Sequence, residues 1–336
     1  MSRYSGLDAP KSRGYFMFWR SAIVVCMLVV IGFTYVASSY VEYNWNWKQV
    51  PQYFWLDKTI EVRAEVAGDI EKIIKGPEGY SISIMDGAYT ETLQAPADAE
   101  ILLTEGDYAY EGDLVASYKV SQPGMLLISL WITLKVSFFA IIIGITLGIL
   151  TGLSRVSENP LLKWFSIIYI ELIRGTPLMV QIFLWYFVVG NLINAFLTQI
   201  GIGGVPPLWF GVIALATFTG AYTAEIVRAG IQSVHRGQME AARSLGLTYA
   251  ESMRKVILPQ ALRRIMPPLA GQFISLIKDS SLLGVIAIRE VTKATREIVS
   301  SSLMPYEMWI TCALLYLVLT FALSLCVQHL ERKSLR

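Results

Sequence analysis

Lys278 and Asp279 stand side by side in LAGQFISLIKDSSLLGVIAI, a run from 269 to 288 that carries no other charge. A charge at the centre of a bilayer costs on the order of 2.5–3.5 kcal/mol on insertion scales, so both are expected to face protein or a watery cavity. Adjacent helical positions point in different directions, and the two residues therefore need separate partners. A cation and an anion followed by two hydroxyls, Ser280 and Ser281, complement a small zwitterion, whose carboxylate and ammonium are costly to leave unpaired in a low-dielectric cavity. The competing reading is structural glue between neighbouring helices. Glu225 and Arg228, three residues apart, can pair on one helix face. Arg174 opens R-G-T-P, in which Pro177 predicts a helix break and a freed carbonyl beside Thr176.

Other chemistries are excluded by what the chain lacks. There is no G-x-x-x-x-G-K-[ST] to cradle nucleotide phosphates, so any energy from ATP comes from another subunit. His235 and His329 stand alone, without a metal-ligand cluster, and read as solvated or capping residues. The three cysteines, Cys26, Cys312 and Cys326, all fall in apolar runs and form neither a C-x-x-C spacing nor a disulfide framework. No Ser-His-Asp or Cys-His arrangement exists. Basic residues near 236–264 are not interleaved with base-stacking aromatics, which argues against nucleic acid.

The elements that position these residues are membrane helices. Of 336 residues, 54% are hydrophobic and 16% charged, and the mean hydropathy is +0.50; this is the composition of an integral membrane protein. Spans are expected at 21–39, 125–153, 164–190, 207–230, 269–287 and 308–330. The first follows a basic flank with Arg3, Lys11, Arg13 and Arg20, which places the N-terminus in the cytoplasm. A cleaved signal peptide is the rival there, and its apolar core would be shorter. Arg155 and Lys163, seven Lys or Arg from Arg228 to Arg264, and the C-terminal Arg332, Lys333 and Arg336 then all fall on the cytoplasmic side. Arg289, Lys293 and Arg296 depart from that rule, but Glu290 and Glu297 accompany them, and an interfacial helix is expected there.

Between the fourth and fifth spans, GQMEAARSLGLTYAESMRKVILPQALRRIMPP (237–268) reads as a compact helical hairpin. Gly246 sits where a left-handed stop belongs. Thr248 and Glu251 form the T-x-x-E of a capping box. Pro259 is expected to bend or end the second helix. An ordinary surface hairpin would show the same local signals.

E-A-A, three residues, G, then a spaced I-x-L-P closely resembles the coupling-loop signature of ABC importer permeases, carried here by Glu240, Ala241, Ala242, Gly246, Ile257 and Pro259, with Leu258 between. ELIRGTPLMVQIF (171–183), GAYTAEIVRAGI (220–231) and LIKDSSLLG (276–284) resemble the polar amino acid branch of that family. The resemblance covers residues 121–336. It implies a type I importer-like all-α helical bundle in the bacterial inner membrane. It implies a second permease subunit, identical or not, and an ABC ATPase dimer that uses ATP and Mg and docks on the 237–268 loop. It also implies a periplasmic solute-binding protein and a polar amino acid as cargo. The chain itself is expected to bind no cofactor and to be no enzyme. The residues of the solute pathway are then expected among Lys278, Asp279, Ser280, Ser281, Arg174, Thr176 and Glu225. The family's usual permease has five spans with its N-terminus outside, and residues 1–120 lie beyond that analogy.

Residues 42–122 hold fifteen Asp and Glu against six Lys and Arg and no cysteine. Short β-branched runs at 60–66 and 80–84, punctuated by Pro, Gly and Asp, predict a β-rich domain, small but large enough for one core. LQAPADAEILLTEGDYAYEGDLVASY (93–118) resembles half of a biotinyl or lipoyl carrier barrel, and EVAGDIEKI (65–73) supplies a matching first half. The register of Ala95 and Pro96 places the carrier hairpin tip near 86–89, where there is no lysine. An unmodified domain is therefore expected. The organisation that follows is a cytoplasmic tail and first span (1–41), an extracytoplasmic β-rich domain inserted after it (42–122), and a five-span permease domain (123–336). Two other classes compete. An ATP-independent channel or secondary transporter would show inverted repeats or a carbonyl-rich filter, and neither is found. A membrane-anchored adaptor with a carrier-like domain would need neither five further spans nor the loop signature.

Overall fold

The computed structural model describes residues 13–40, 43–77, 79–87 and 89–334. The chain divides into two compact units, residues 1–47 and 48–336. The first contains one long helix, α1 (Arg13–Ser39), whose apolar residues run all around its surface.

The second unit begins with strands. β1 (Trp55–Arg63), β2 (Gly68–Gly76), β3 (Gly79–Asp86), β4 (Tyr89–Ala95), β5 (Glu100–Ile101), β6 (Tyr108–Ala109) and β7 (Leu114–Pro123) form two sheets, ordered β1-β7-β5 and β4-β3-β2-β6. Alternate residues point inward, as the strand period of two requires. Ile82 and Ile84 of β3 follow that period and share one core between the sheets with Ile70, Val115 and Ala116, the last two consecutive and both buried. Buried Glu91 holds the turn after β1 by accepting the backbone N–H groups of Glu65 and Val66 at 3.1–3.2 Å. The β3–β4 hairpin closes at Asp86 opposite Tyr89, with Gly87 at φ 59°.

One residue, Gly124, separates β7 from α2 (Met125–Arg155). Its N–H donates to Phe54 O at 2.7 Å. The 3-10 turn Trp47–Tyr53 places Val50 in a cluster with Leu126, Ile298, Met304 and Met308, which ties the strands to one end of the helices.

The helices that follow are α3 (Pro160–Arg174), α4 (Leu178–Phe183), α5 (Asn191–Gln199), α6 (Pro207–Gln232), α7 (Arg236–Ser244), α8 (Tyr249–Ser252), α9 (Leu258–Asp279), α10 (Val291–Ser302) and α11 (Pro305–Ser334). α6 is the central helix, buried along most of its length. α2 lies close against it because Gly144, Gly148 and Gly152 face Thr219, Thr223 and Val227. Small residues at one-turn spacing let two membrane helices approach until their backbones nearly touch.

Six helical stretches among the described residues are long and apolar enough to cross a membrane: Arg13–Ala37, Met125–Arg155, Leu178–Gln199, Pro207–Gln232, Tyr249–Ile286 and Pro305–Val327. Three expectations need correction. The segment 164–190 is not one helix: it breaks after Arg174, and the apolar stretch runs from α4 through a π-helical turn, Leu184–Gly190, into α5. Residues expected as a loop from 191 are helical for that reason. Pro259 does not end its helix. A π-helical turn, Met253–Ile257, runs directly into α9, and the helical stretch continues through Pro259. Pro267 and Pro268 also lie inside α9.

Candidate functional site

The hairpin of α7 and α8 is built by local chemistry. His235 Nδ1 accepts from Gly237 N at 3.1 Å and caps α7. At the other end Gly246 N–H donates to Arg243 O and Leu247 N–H to Ala242 O, a Schellman closure around Gly246 at φ 84°. Thr248 Oγ1 accepts from Glu251 N at 3.3 Å, while a Glu251 carboxylate oxygen accepts from Thr248 N at 3.0 Å, completing the capping box.

Ala242 is buried, and Ile257 packs in a cluster with Val227, Ile231, Ala261 and Ile265, so the hairpin is seated on α6 and α9. Arg264 donates to Ser233 O across the same base. Glu240, Ala241, Gly246 and Pro259 face outward, and Leu258 is half-buried. Leu245 is 84% exposed. A stiff hairpin with an apolar knob at its turn is a surface that another protein can grip and push.

Beside this base lies a charge cluster. Glu225 takes Arg228 at 2.8 Å on its own helix and Arg155 of α2 at 2.7 Å. The Arg155 contact is an ion pair whose N–H is misaligned for a hydrogen bond. Arg228 also donates to Gln232 Oε1 at 2.5 Å. Sequence reasoning found the 225–228 pair and missed Arg155, which lies seventy residues upstream.

Arg174 ends α3 and places its guanidinium 5.5 Å from the Tyr222 ring centre. Thr176 donates to Leu172 O at 3.0 Å. Gln181, also missed, is buried and donates from Nε2 to Ile173 O at 2.7 Å and to Thr176 Oγ1 at 2.9 Å. It satisfies a carbonyl that the break before Pro177 sets free.

Lys278 and Asp279 are the last residues of α9, where the chain tightens into the 3-10 turn Ser280–Ile286. Lys278 is exposed and Asp279 half-buried, and neither makes a direct ion pair among the described residues. Ser280 is buried and donates to Ile277 O at 2.7 Å, and Ser281 is half-buried. The structure does not bring Lys278 and Asp279 into the Glu225 cluster.

Beyond the turn, buried Glu290 caps α10 by accepting from Thr292 N and Lys293 N, both at 2.7 Å, and from Tyr316 OH of α11 at 3.0 Å. Burial raises its pKa, and these donors pull the other way. Glu297 of α10 takes Arg289, just before the helix, at 2.7 Å and Lys293 at 3.8 Å. No group of three or more metal-ligating side chains exists among the described residues.

Comparison with known proteins places this geometry. A family model for the binding-protein-dependent transport system inner membrane component matches residues 144–336. The probable glutamine ABC transporter permease protein GlnM of Bacillus subtilis is 41% identical over 201 residues, covering 60% of this chain and 89% of its own. The L-cystine transport system permease protein TcyB of the same organism is 37% identical over 205 residues, 61% of this chain and 84% of its own. A crystal structure of an amino acid ABC transporter with histidines is 40% identical, with a TM-score of 0.54, over 62% of this chain and 94% of its own. The MetNI methionine ABC transporter, at 19% identity and TM-score 0.52 over 63% and 97%, shares the fold. The family model spans more than half of the chain, which therefore belongs to the binding-protein-dependent transport system inner membrane component family.

Proposed function

We propose that this chain is the transmembrane subunit of an ATP-driven importer that carries a polar amino acid across a bacterial inner membrane. The observation that carries the reading is the α7–α8 hairpin. It is capped at three points, seated on the two helices that lead to Glu225 and Lys278, and outward-facing at Glu240, Ala241 and Leu245. An ABC ATPase dimer grips this hairpin. Closure of the ATPases on ATP and Mg moves it, and α9 passes the movement to the 278–281 turn. A second permease subunit completes the pathway, and a periplasmic solute-binding protein delivers cargo from outside.

The basic cytoplasmic edge described by Arg155, Lys163 and the hairpin sets the orientation, with both termini inside. The strands from 55 to 123 then lie outside, as an unmodified domain on the permease. Lys278 and Asp279 offer the cation and anion that a zwitterion requires, with Ser280, Ser281, Arg174, Thr176 and Glu225 along the path. Glutamine is the first cargo to try, given the names of the relatives.

Purification of the full-length chain from a native membrane tests the reading. An ABC ATPase subunit is expected to accompany it in stoichiometric amount. Its absence, with the chain intact and folded, would reject the importer reading and favour a channel or an anchored adaptor.

A further inference from the structure

The hairpin joins α9 through the π-helical turn Met253–Ile257, and Arg254 stands on that turn. It is exposed and forms no ion pair among the described residues. The acid nearest to it along the chain is already engaged: Glu251, three residues earlier, accepts from Thr248 N and pairs with Lys255 at 3.3 Å. Other basic side chains at this base also have partners, Arg155 and Arg228 on Glu225, and Arg264 on Ser233 O.

Arg254 is the one charged residue in the lining of a groove of about 420 Å³ between α2, α6 and α9, and the rest of that lining is apolar. Val227 of α6 and Ile265 of α9, 3% and 5% exposed, form its floor. Ile149 of α2 and Leu262 of α9, 40% and 55% exposed, form its two lips.

The spacing along α9 gives the groove its length. Leu258, Leu262, Ile265 and Leu269 follow one another at steps of four, three and four, which keeps them on one helix face. From Leu258 to Leu269 that face runs about 16 Å at 1.5 Å per residue. Half of a hydrocarbon core about 30 Å thick has nearly the same depth. The groove is therefore as long as one leaflet is deep. Its one charge lies at the end next to the hairpin, where the cytoplasmic interface falls in the orientation proposed above.

Two demands must be met together. The walls need an apolar chain, and the guanidinium needs an anion at headgroup depth. A guanidinium binds a phosphate through two parallel N–H bonds, which makes arginine the fitting cation for such a group. A free anion would satisfy Arg254 and leave the walls without a partner, and an uncharged chain would do the reverse. A zwitterionic lipid brings a phosphate but also a cation of its own beside it. An anionic lipid brings the chain and an uncompensated charge in one molecule.

We propose that this groove is a site for an anionic phospholipid of the inner leaflet, with one acyl chain laid along α9 and the phosphate on Arg254. The headgroup then rests on the joint through which the hairpin moves α9. The proposal rests on the orientation given above for the importer.

Photochemical capture identifies the occupant without requiring transport. Full-length chain with Leu262→p-benzoylphenylalanine is reconstituted in vesicles of equal parts phosphatidylglycerol and phosphatidylcholine with identical acyl chains, illuminated, and its adducts are weighed by mass spectrometry. Val318→p-benzoylphenylalanine is the reference, at a position 63% exposed on α11 and outside this groove. At position 262 the phosphatidylglycerol adduct is expected to exceed the phosphatidylcholine adduct about fivefold, the gain that one basic residue contributes at an anionic surface. At position 318 the two should be even. Arg254→Gln should bring position 262 to the even ratio, and Arg254→Lys should retain most of the preference. Ile149→p-benzoylphenylalanine, on the opposite lip, serves if the Leu262 variant fails to accumulate.

Adducts to peptide in place of lipid would overturn the proposal, because protein, from this chain or another subunit, would then cover the groove. An even lipid ratio at position 262, or a preference that survives Arg254→Gln, would refute recognition of the headgroup by the guanidinium. Failure of the importer reading shows in the absence of a co-purifying ATPase, whereas failure of this site shows in the adducts.

Discussion

Arg155 Nη1 at the end of α2 lies 2.7 Å from Glu225 Oε1 on α6, and Glu225 Oε2 lies 2.8 Å from Arg228. One carboxylate, 17% exposed, thus neutralises two guanidiniums and clips the two most closely packed helices together near the base of the hairpin. Glu225→Gln leaves Arg228 without its carboxylate and Arg155 with only its longer contact to Glu171 at 3.9 Å. Removing one member of a buried pair costs about 3–5 kcal/mol, and the partial exposure of both arginines brings the expectation down to about 2 kcal/mol. Thermal unfolding of the purified chain in detergent should show a clear fall in midpoint, with Glu225→Asp falling less. An unchanged midpoint would mean that the clip is not structural.

The α2–α6 seam gives a second test. A Cβ at Gly148 would stand 2.8 Å from Gly220 O, a backbone atom with nowhere to go, besides meeting Thr223. Gly148→Ala should therefore destabilise the chain by on the order of 1–3 kcal/mol, as overpacking does. Gly271→Ala meets nothing within 4 Å and is the control, expected to be neutral in the same thermal assay. Equal effects at both positions would reject close helix approach as the cause.

What could be read in the sequence was local. The capping box at Thr248 and Glu251, the left-handed Gly246, the break at Pro177 and the hairpin turn at 86–89 each depend on residues within five positions of one another, and each was visible as a spacing. The Arg155–Glu225 pair and the Gln181 bonds across the broken span depend on neighbours that the fold brings together, which no spacing reports. Pro259 misled for a physical reason. A proline predicts a stop where it breaks a regular ladder, and here the π-helical turn immediately before it has already loosened that ladder, so the helix from Tyr249 runs on through it.

The strands carry a pH-dependent lock. Thr104 donates to Asp107 from its backbone N–H at 2.7 Å and its hydroxyl at 2.8 Å, and both bonds hold the Asp107 carboxyl below the usual carboxylate range. A depressed folded pKa contributes stability that is fully present above the unfolded value, near 3.9, and is lost as pH falls through the folded one. Asp107→Asn should therefore lower hydrogen-exchange protection of residues 103–110 in the full-length chain at pH 5–7. The gap to the native chain should close below about pH 4. A gap that stays constant down to pH 3 would show that the charge plays no part.

The hairpin turn is strained for any residue with a branched Cβ. Gly246 sits at φ 84°, and a Cβ there would meet nothing within 4 Å, so only backbone conformation opposes substitution. Gly246→Val should cost on the order of 1–2 kcal/mol locally, whereas Gly246→Asn, which tolerates the left-handed region, should cost less. The expected result is normal membrane insertion with reduced ATPase association and reduced uptake for valine, and near-native behaviour for asparagine. Wild-type association and uptake in the valine chain would remove the hairpin from the coupling mechanism.

Lys278 and Asp279 sit where α9 gives way to a tighter turn, without direct ion-pair partners among the described residues. Structural glue would be expected to be already bonded in the chain, and this pair is not. Charges held ready for a cargo that brings its own carboxylate and ammonium fit that state. Lys278→Met and Asp279→Asn should each reduce uptake of the proposed polar amino acid at least about tenfold, the factor that corresponds to 1.4 kcal/mol of lost transition-state or binding energy. Insertion, subunit assembly and basal ATP hydrolysis should persist, because neither residue touches the hairpin or the Glu225 cluster. If both variants transport normally, or if both fail to assemble, the pair belongs to the scaffold, and Arg174, Thr176 and Glu225 become the positions at which to look for the cargo.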